Sequence, residues 1–160
     1  MEFVHLDSGS EWAARSAAYV FLREGKLEEA RRSIQKISAK PLMSRDLVQV
    51  CRDPLQTAAL DRIAHASEAA ALAAIDGEPR YQIGSLLAYC GKKDVGLRLL
   101  KSAIKQNYCA YGALQTDPLL VDMRGTSGFS ELLSDAKQCQ DRILAPLHDA
   151  RNTPTSIFQF

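Results

Sequence analysis

The chain has 160 residues, 46% hydrophobic and 24% charged, enough to bury roughly 70% of its unfolded surface in one core and too apolar for wholesale disorder. Its 20 basic residues oppose 19 acidic ones for a net charge of +1, so no overall field draws a phosphate backbone and nucleic-acid binding is disfavoured. Arg31-Arg32 and Lys92-Lys93 are the only adjacent basic pairs, too short for a basic arm.

Met1 to Ser10 carry Glu2 and Asp7 and lack the apolar run of a signal peptide. The most apolar stretch, Thr57 to Ile75, contains Asp61, Arg62, His65 and Glu68, which a spanning helix would not tolerate lightly. The expectation is a chain with no direct membrane insertion, cytoplasmic, or extracytoplasmic if an anchor lies upstream.

In chain order, Ser10 reads as a helix N-cap, and Ala14, Ala17, Ala18, Phe21 and Leu22 recur at three- and four-residue intervals. Gly25 supplies the unhindered backbone that ends a helix. Leu27, Ala30, Ile34 and Ile37 form the stripe of a second helix, stopped by Pro41. So short a turn lays the two helices antiparallel. A short helix is expected over Ser44 to Cys51, then a long alanine-rich one from Pro54 to Ile75 with Asp53 as its cap. The hairpin design returns at Glu78 to Gln106. Ile83, Leu86, Leu87 and Cys90 line its first helix, Gly91 makes the turn, and Val95, Leu99, Leu100, Ala103 and Ile104 line the second. After the connector Asn107 to Thr116, Asp117-Pro118 open a short helix ending near Gly125. A last helix starts around Ser127 with Phe129, Leu132, Leu133, Ala136, Ile143, Leu144 and Leu147 on one face, and Pro146 is expected to bend or end it. No run of alternating β-branched residues predicts a strand. The division is one helical domain over 1–150 and a tail over 151–160.

Gly25 and Gly91 lie 66 residues apart, about two periods of a 34-residue helix-turn-helix repeat. With the glycines aligned, Ala18 matches Gly84, Phe21 matches Leu87, and Ala30 matches Gly96. YVFLREGKLEEARRSIQKIS and IGSLLAYCGKKDVGLRLLKSAI resemble the core signature of the tetratricopeptide repeat, whose eighth and twentieth positions are small and eleventh bulky. Trp12 stands two places from the family's usual aromatic, and Ile37 replaces a usual alanine. The resemblance implies an all-α, right-handed α-α superhelix of about three to four helix pairs, acting as a protein or peptide binding module and not as an enzyme. The segment NYCAYGALQTDPLLVDMRGTSGFSELLSDAKQCQ resembles the closing unit of repeat regions in large bacterial signalling proteins. That likeness implies the C-terminal part of a protein with an upstream kinase or winged-helix domain. The alternative is an end-cap or self-association domain with no ligand of its own.

In the family's register the concave groove falls on Arg15, Tyr19, Leu22 and Arg23 in the first unit and on Tyr81, Ser85, Ala88 and Tyr89 in the second. Tyrosines offer amphipathic contact at low entropy cost and arginines grip carboxylates bidentately, while packing of the tyrosines between helices is the bland reading. Tyr19 and Ser85 occupy positions where a carboxylate clamp of this family would carry asparagine. No catalytic constellation stands out: His5, His65 and His148 have no ligand partner at helical spacing, no G-x-S-x-G is present, and Asp117 reads as a cap. No metal or cofactor is expected. Cys51, Cys90, Cys109 and Cys139 lack a CxxC pair and read as small buried hydrophobes, with a Cys109 to Cys139 disulfide as the alternative. Ile157, Phe158 and Phe160 are apolar tail residues for which the readings are docking on the array, docking on a neighbouring molecule to give a homo-oligomer, or a disordered end.

Overall fold

A computed structural model describes residues 11–37 and 44–152, with side chains as far as 146. The Ser10 cap, the stop at Pro41, His5, the side chain of His148, and the tail residues Ile157, Phe158 and Phe160 lie outside the described residues. Eight α-helices are present, and no strand among the described residues. They are α1 (Glu11–Arg23), α2 (Leu27–Ile34), α3 (Arg45–Val50), α4 (Thr57–Ala73), α5 (Gly77–Tyr89), α6 (Lys93–Lys105), α7 (Tyr111–Thr116) and α8 (Ser127–Asn152). Two 3₁₀ segments, Pro54–Gln56 and Pro118–Met123, precede α4 and follow α7. Successive helices pack on one another from α1 to α6, and α8 covers α6 and α7.

The two hairpins turn by the same hydrogen bonds. Lys26 N–H donates to Phe21 O at 2.8 Å and Gly25 N–H to Leu22 O at 3.1 Å. Lys92 N–H donates to Leu87 O and Gly91 N–H to Ala88 O at the same two distances. Each is a Schellman turn, which needs a left-handed residue, and the glycines take φ of +74° and +91°. A third copy ends α6, with Tyr108 N–H donating to Ala103 O, Asn107 N–H to Ile104 O, and Asn107 at φ 63°. Asparagine is the non-glycine residue that best tolerates this conformation.

Small residues let each hairpin close. Ala18 and Ala30 are fully buried in the first. In the second, a Cβ added to Gly96 would stand 2.7 Å from Gly84 O and 3.0 Å from Ala88 N, so the backbones of α5 and α6 occupy the space a side chain would take. One core collects Leu22, Ile34, Leu47, Val48, Leu60, Ile83, Leu86, Leu87, Leu99 and Leu119, and a second gathers Leu100, Leu114, Leu120, Met123, Phe129, Leu132 and Ala136. Full burial of each large apolar side chain contributes about 1.5–3 kcal/mol.

Beyond α4 a single polar side chain finishes the helix. Arg80 of α5 is 8% exposed. It donates to Ala71 O at 3.3 Å, Leu72 O at 2.9 Å and Ala74 O at 3.0 Å, and to Ser102 Oγ at 2.8 Å. Its charge sits at the negative end of the helix dipole and serves the carbonyls there, of which Ala71 O also accepts from Ala74 N–H at 3.2 Å.

Three expectations are corrected. The long central helix is split, because Asp53 caps a 3₁₀ turn by accepting from Leu55 N–H at 2.9 Å, and α4 proper starts at Thr57. Pro146 does not end α8, which runs on to Asn152; proline there removes its own N–H, a loss that an exposed position tolerates because the carbonyl left without it is open to solvent. The cysteines are not free hydrophobes. Cys51 and Cys90 form a disulfide with Cα atoms 4.9 Å apart, and Cys109 and Cys139 a second at 5.4 Å, both inside the range a bridge requires.

Candidate binding cleft

Helix α1 buries Ala14, Ala18 and Leu22 on one stripe, which turns Trp12, Arg15, Ser16, Tyr19, Val20 and Arg23 toward its flanks and solvent. These six residues and Glu78 and Gln82 of α5 line an open cleft of about 350 Å³. Trp12 is 55% exposed and Val20 54%, a cost in apolar surface that the core does not recover. The polar side is hydrogen-bonded within itself and to Ser44. Gln82 Nε2 donates to Glu78 Oε1 at 2.8 Å, Tyr19 Oη and Ser44 Oγ share a hydrogen bond of 3.0 Å, and Arg23 Nη1 donates to Tyr19 O at 3.4 Å with its guanidinium 5.7 Å from the Tyr19 ring. Burial pushes the Tyr19 hydroxyl above its ordinary value, partly offset by the Ser44 bond and by Arg15 and Arg23.

The residues read as one groove divide between two places. Arg15, Tyr19 and Arg23 line the cleft. Tyr81, Ser85 and Tyr89 belong to α5, on which the chain's own segment from Pro118 to Met123 packs while also touching α1. Tyr81 is 6% exposed and donates to Asp117 Oδ2 at 3.0 Å, and Ser85 is fully buried and donates to Tyr81 O at 2.8 Å. Leu22 and Ala88 are likewise core residues. The ring of Tyr89 lies 4.0 Å under the Arg52 guanidinium, which also donates to Tyr89 O and to Asp122 Oδ2.

Asp117 is the joint of this arrangement. Beyond capping Pro118–Met123 through Leu119 N–H at 3.1 Å, its carboxylate, 4% exposed, receives Arg23 Nε at 3.1 Å and Nη2 at 2.8 Å together with the Tyr81 hydroxyl. Burial first, and then the Asp117 charge, drive the Tyr81 hydroxyl far above its ordinary value. The sequence shows Asp117 before a proline and so reveals the cap. Its partners at positions 23 and 81 carry no local signal.

A second, smaller cleft of about 230 Å³ lies between α6 and α8, where Lys101, Lys105 and Arg142 outnumber Asp135. Sequence reasoning did not single it out, because its cations come from two helices that are each unremarkable alone.

No group of three or more His, Cys, Asp or Glu that would hold a metal ion occurs among the described residues, and no described helix is long and apolar enough to cross a membrane. No family model, curated protein or solved structure matches the chain.

Proposed function

We propose that the chain is a tetratricopeptide-like repeat module that binds a peptide or a partner protein in the cleft between α1 and α5, without chemistry of its own, as part of a larger bacterial signalling or regulatory protein. The observation that carries the binding role is the pairing of exposed apolar Trp12 and Val20 with Arg15 and with the hydrogen-bonded Glu78–Gln82 pair around one cleft. An indole, an aliphatic side chain and a guanidinium on one wall suit an extended segment with an apolar side chain beside a carboxylate. The superhelical reading draws support from the matching Schellman turns at Gly25 and Gly91 and from the small residues where α1 meets α2 and α5 meets α6. Tyr81, Ser85 and Tyr89 take structural roles in this reading, and the contact surface is Trp12, Arg15, Tyr19 and Val20.

The test is selection against a phage-displayed random peptide library, with the winners measured on the wild-type chain and on the Trp12→Ala and Arg15→Glu variants. Enriched peptides should carry acidic and bulky apolar residues and lose affinity for both variants while the melting temperature holds. Absence of enrichment, or equal binding to both variants, would remove the cleft as the binding surface. Sedimentation of the free chain separates off the alternative of a self-association domain, which would show a concentration-dependent dimer lost in the Trp12 variant.

A further inference from the structure

We propose that the protein works in an oxidising compartment with both disulfides closed, and that the Cys109–Cys139 bridge is its site of thiol–disulfide exchange with a dithiol reductant. The inference is independent of what fills the cleft between α1 and α5.

The four cysteines of the chain leave none over: Cys51 pairs with Cys90 across 39 positions and Cys109 with Cys139 across 30. Four cysteines allow three pairings, and the fold brings together two pairs, each at bridging distance and each tying different elements. Cys51 at the end of α3 holds the end of α5, and Cys109 in the connector after α6 holds the middle of α8. Structural bridges of this kind persist where oxidants dominate and are rare where glutathione and thioredoxin keep thiols reduced.

The two bridges differ in access. Cys51 is 0% exposed and Cys90 4%, so neither sulfur is open to attack without displacing the core around Leu86 and Leu87. Cys139 is 1% exposed, yet its partner Cys109 is half-buried on a surface connector. The neighbouring cleft is bordered by Ile104, whose carbonyl lies 3.7 Å from Cys139 Sγ, and by Lys101, Lys105 and Arg142 against the single carboxylate of Asp135. Lys101 also pairs with Glu131 at 3.2 Å. The remaining positive charge favours approach of a thiolate and stabilises the one that leaves.

The chemistry balances as two successive displacements. A thiolate of the reductant attacks Cys109 Sγ; the bond to Cys139 Sγ breaks, and Cys139 leaves as a thiolate that takes a proton from water. The reductant's second thiolate then attacks the reductant's other sulfur in the mixed disulfide, closing the reductant's disulfide and releasing Cys109 as a thiolate that takes a proton from water. Two electrons pass from the dithiol to the protein.

The experiment is differential alkylation of the full chain purified without reductant, read by peptide mass spectrometry. Before reduction, denatured protein should take up no alkylating agent, and linked peptides should report the pairs 51–90 and 109–139. With dithiothreitol added to the native protein, Cys109 and Cys139 should label at least about tenfold faster than Cys51 and Cys90. Complete reduction in denaturant followed by refolding should lower the melting temperature by more than about 10 °C. Four free thiols, another pairing, or a reduced chain as heat-stable as the oxidised one would overturn the oxidising compartment. Equal labelling of the two pairs, or earlier labelling of Cys51 and Cys90, would overturn exchange at Cys109–Cys139.

Discussion

Arg23 and Asp117, 94 positions apart, meet as a two-point ion pair at 3.1 and 2.8 Å, joining the last turn of α1 to the cap of the 3₁₀ segment laid against α5. The carboxylate is nearly sealed and the guanidinium about a third exposed, so the arginine reaches from the cleft wall into the interior. Asp117→Ala removes the pair, the Tyr81 bond and the cap together, and is expected to cost about 3–4 kcal/mol in urea unfolding. A loss below about 1 kcal/mol would mean that water replaces these partners at little expense.

Gly96 is expected to tolerate no side chain. Gly96→Ala pushes a methyl group against the carbonyl of Gly84 and the amide of Ala88, neither of which moves without parting α5 from α6, and should cost more than about 2 kcal/mol. Gly91→Ala meets nothing within 4 Å and pays only for its left-handed backbone, about 1 kcal/mol. Thermal unfolding of the two variants ranks them, and a smaller penalty at 96 than at 91 contradicts the close crossing.

Arg80→Met keeps the bulk of the side chain and deletes its donors. The carbonyls of Ala71, Leu72 and Ala74 lose a partner that serves all three, with an expected loss on the order of 3 kcal/mol. Hydrogen exchange should show the protection lost first in the last turn of α4. Uniform loss across the chain, or none, would contradict a local capping role.

Alkaline pH should destabilise the fold. Tyr19, Tyr81 and Tyr108 have hydroxyls raised above the ordinary value by burial, and in Tyr81 also by the Asp117 charge. An unfolded tyrosine ionises near pH 10, so above about that pH the native state holds more protons than the unfolded one and stability falls. Below about pH 9 these groups are neutral in both states and contribute no slope. Urea midpoints in thiol-free buffer should be level from about pH 8 to 9 and then decline, less steeply in Tyr81→Phe. A midpoint that rises above about pH 10 would reverse the assigned direction.

Local features were the legible ones. The apolar spacing of Ala14, Ala18 and Leu22 marks the face that α1 buries, Gly25 and Gly91 mark two turns, and Asp53 and Asp117 mark two caps, because each depends on residues within one helical turn. Side-chain choices among distant partners were not legible. Nothing near Asp117 announces Arg23 or Tyr81, nothing near Arg80 announces the end of α4, and the spacing of Cys51 and Cys90 does not announce their bridge. The cleft was half visible: helical register brought Arg15, Tyr19 and Arg23 to one wall, but did not foresee that the chain would spend Tyr81 on Asp117, Ser85 on the carbonyl of Tyr81 and Tyr89 on Arg52.

In a repeat array each unit speaks only to its neighbours, so the ends fray independently and units are added or trimmed without consulting the far end. The knot at Asp117 forbids that economy here. With Leu119 packed into the same core as Leu22 and Leu87, the last third of the chain is stitched to the first. Melting should therefore be a single event for the whole domain, and shortening it from either side removes a partner from the other.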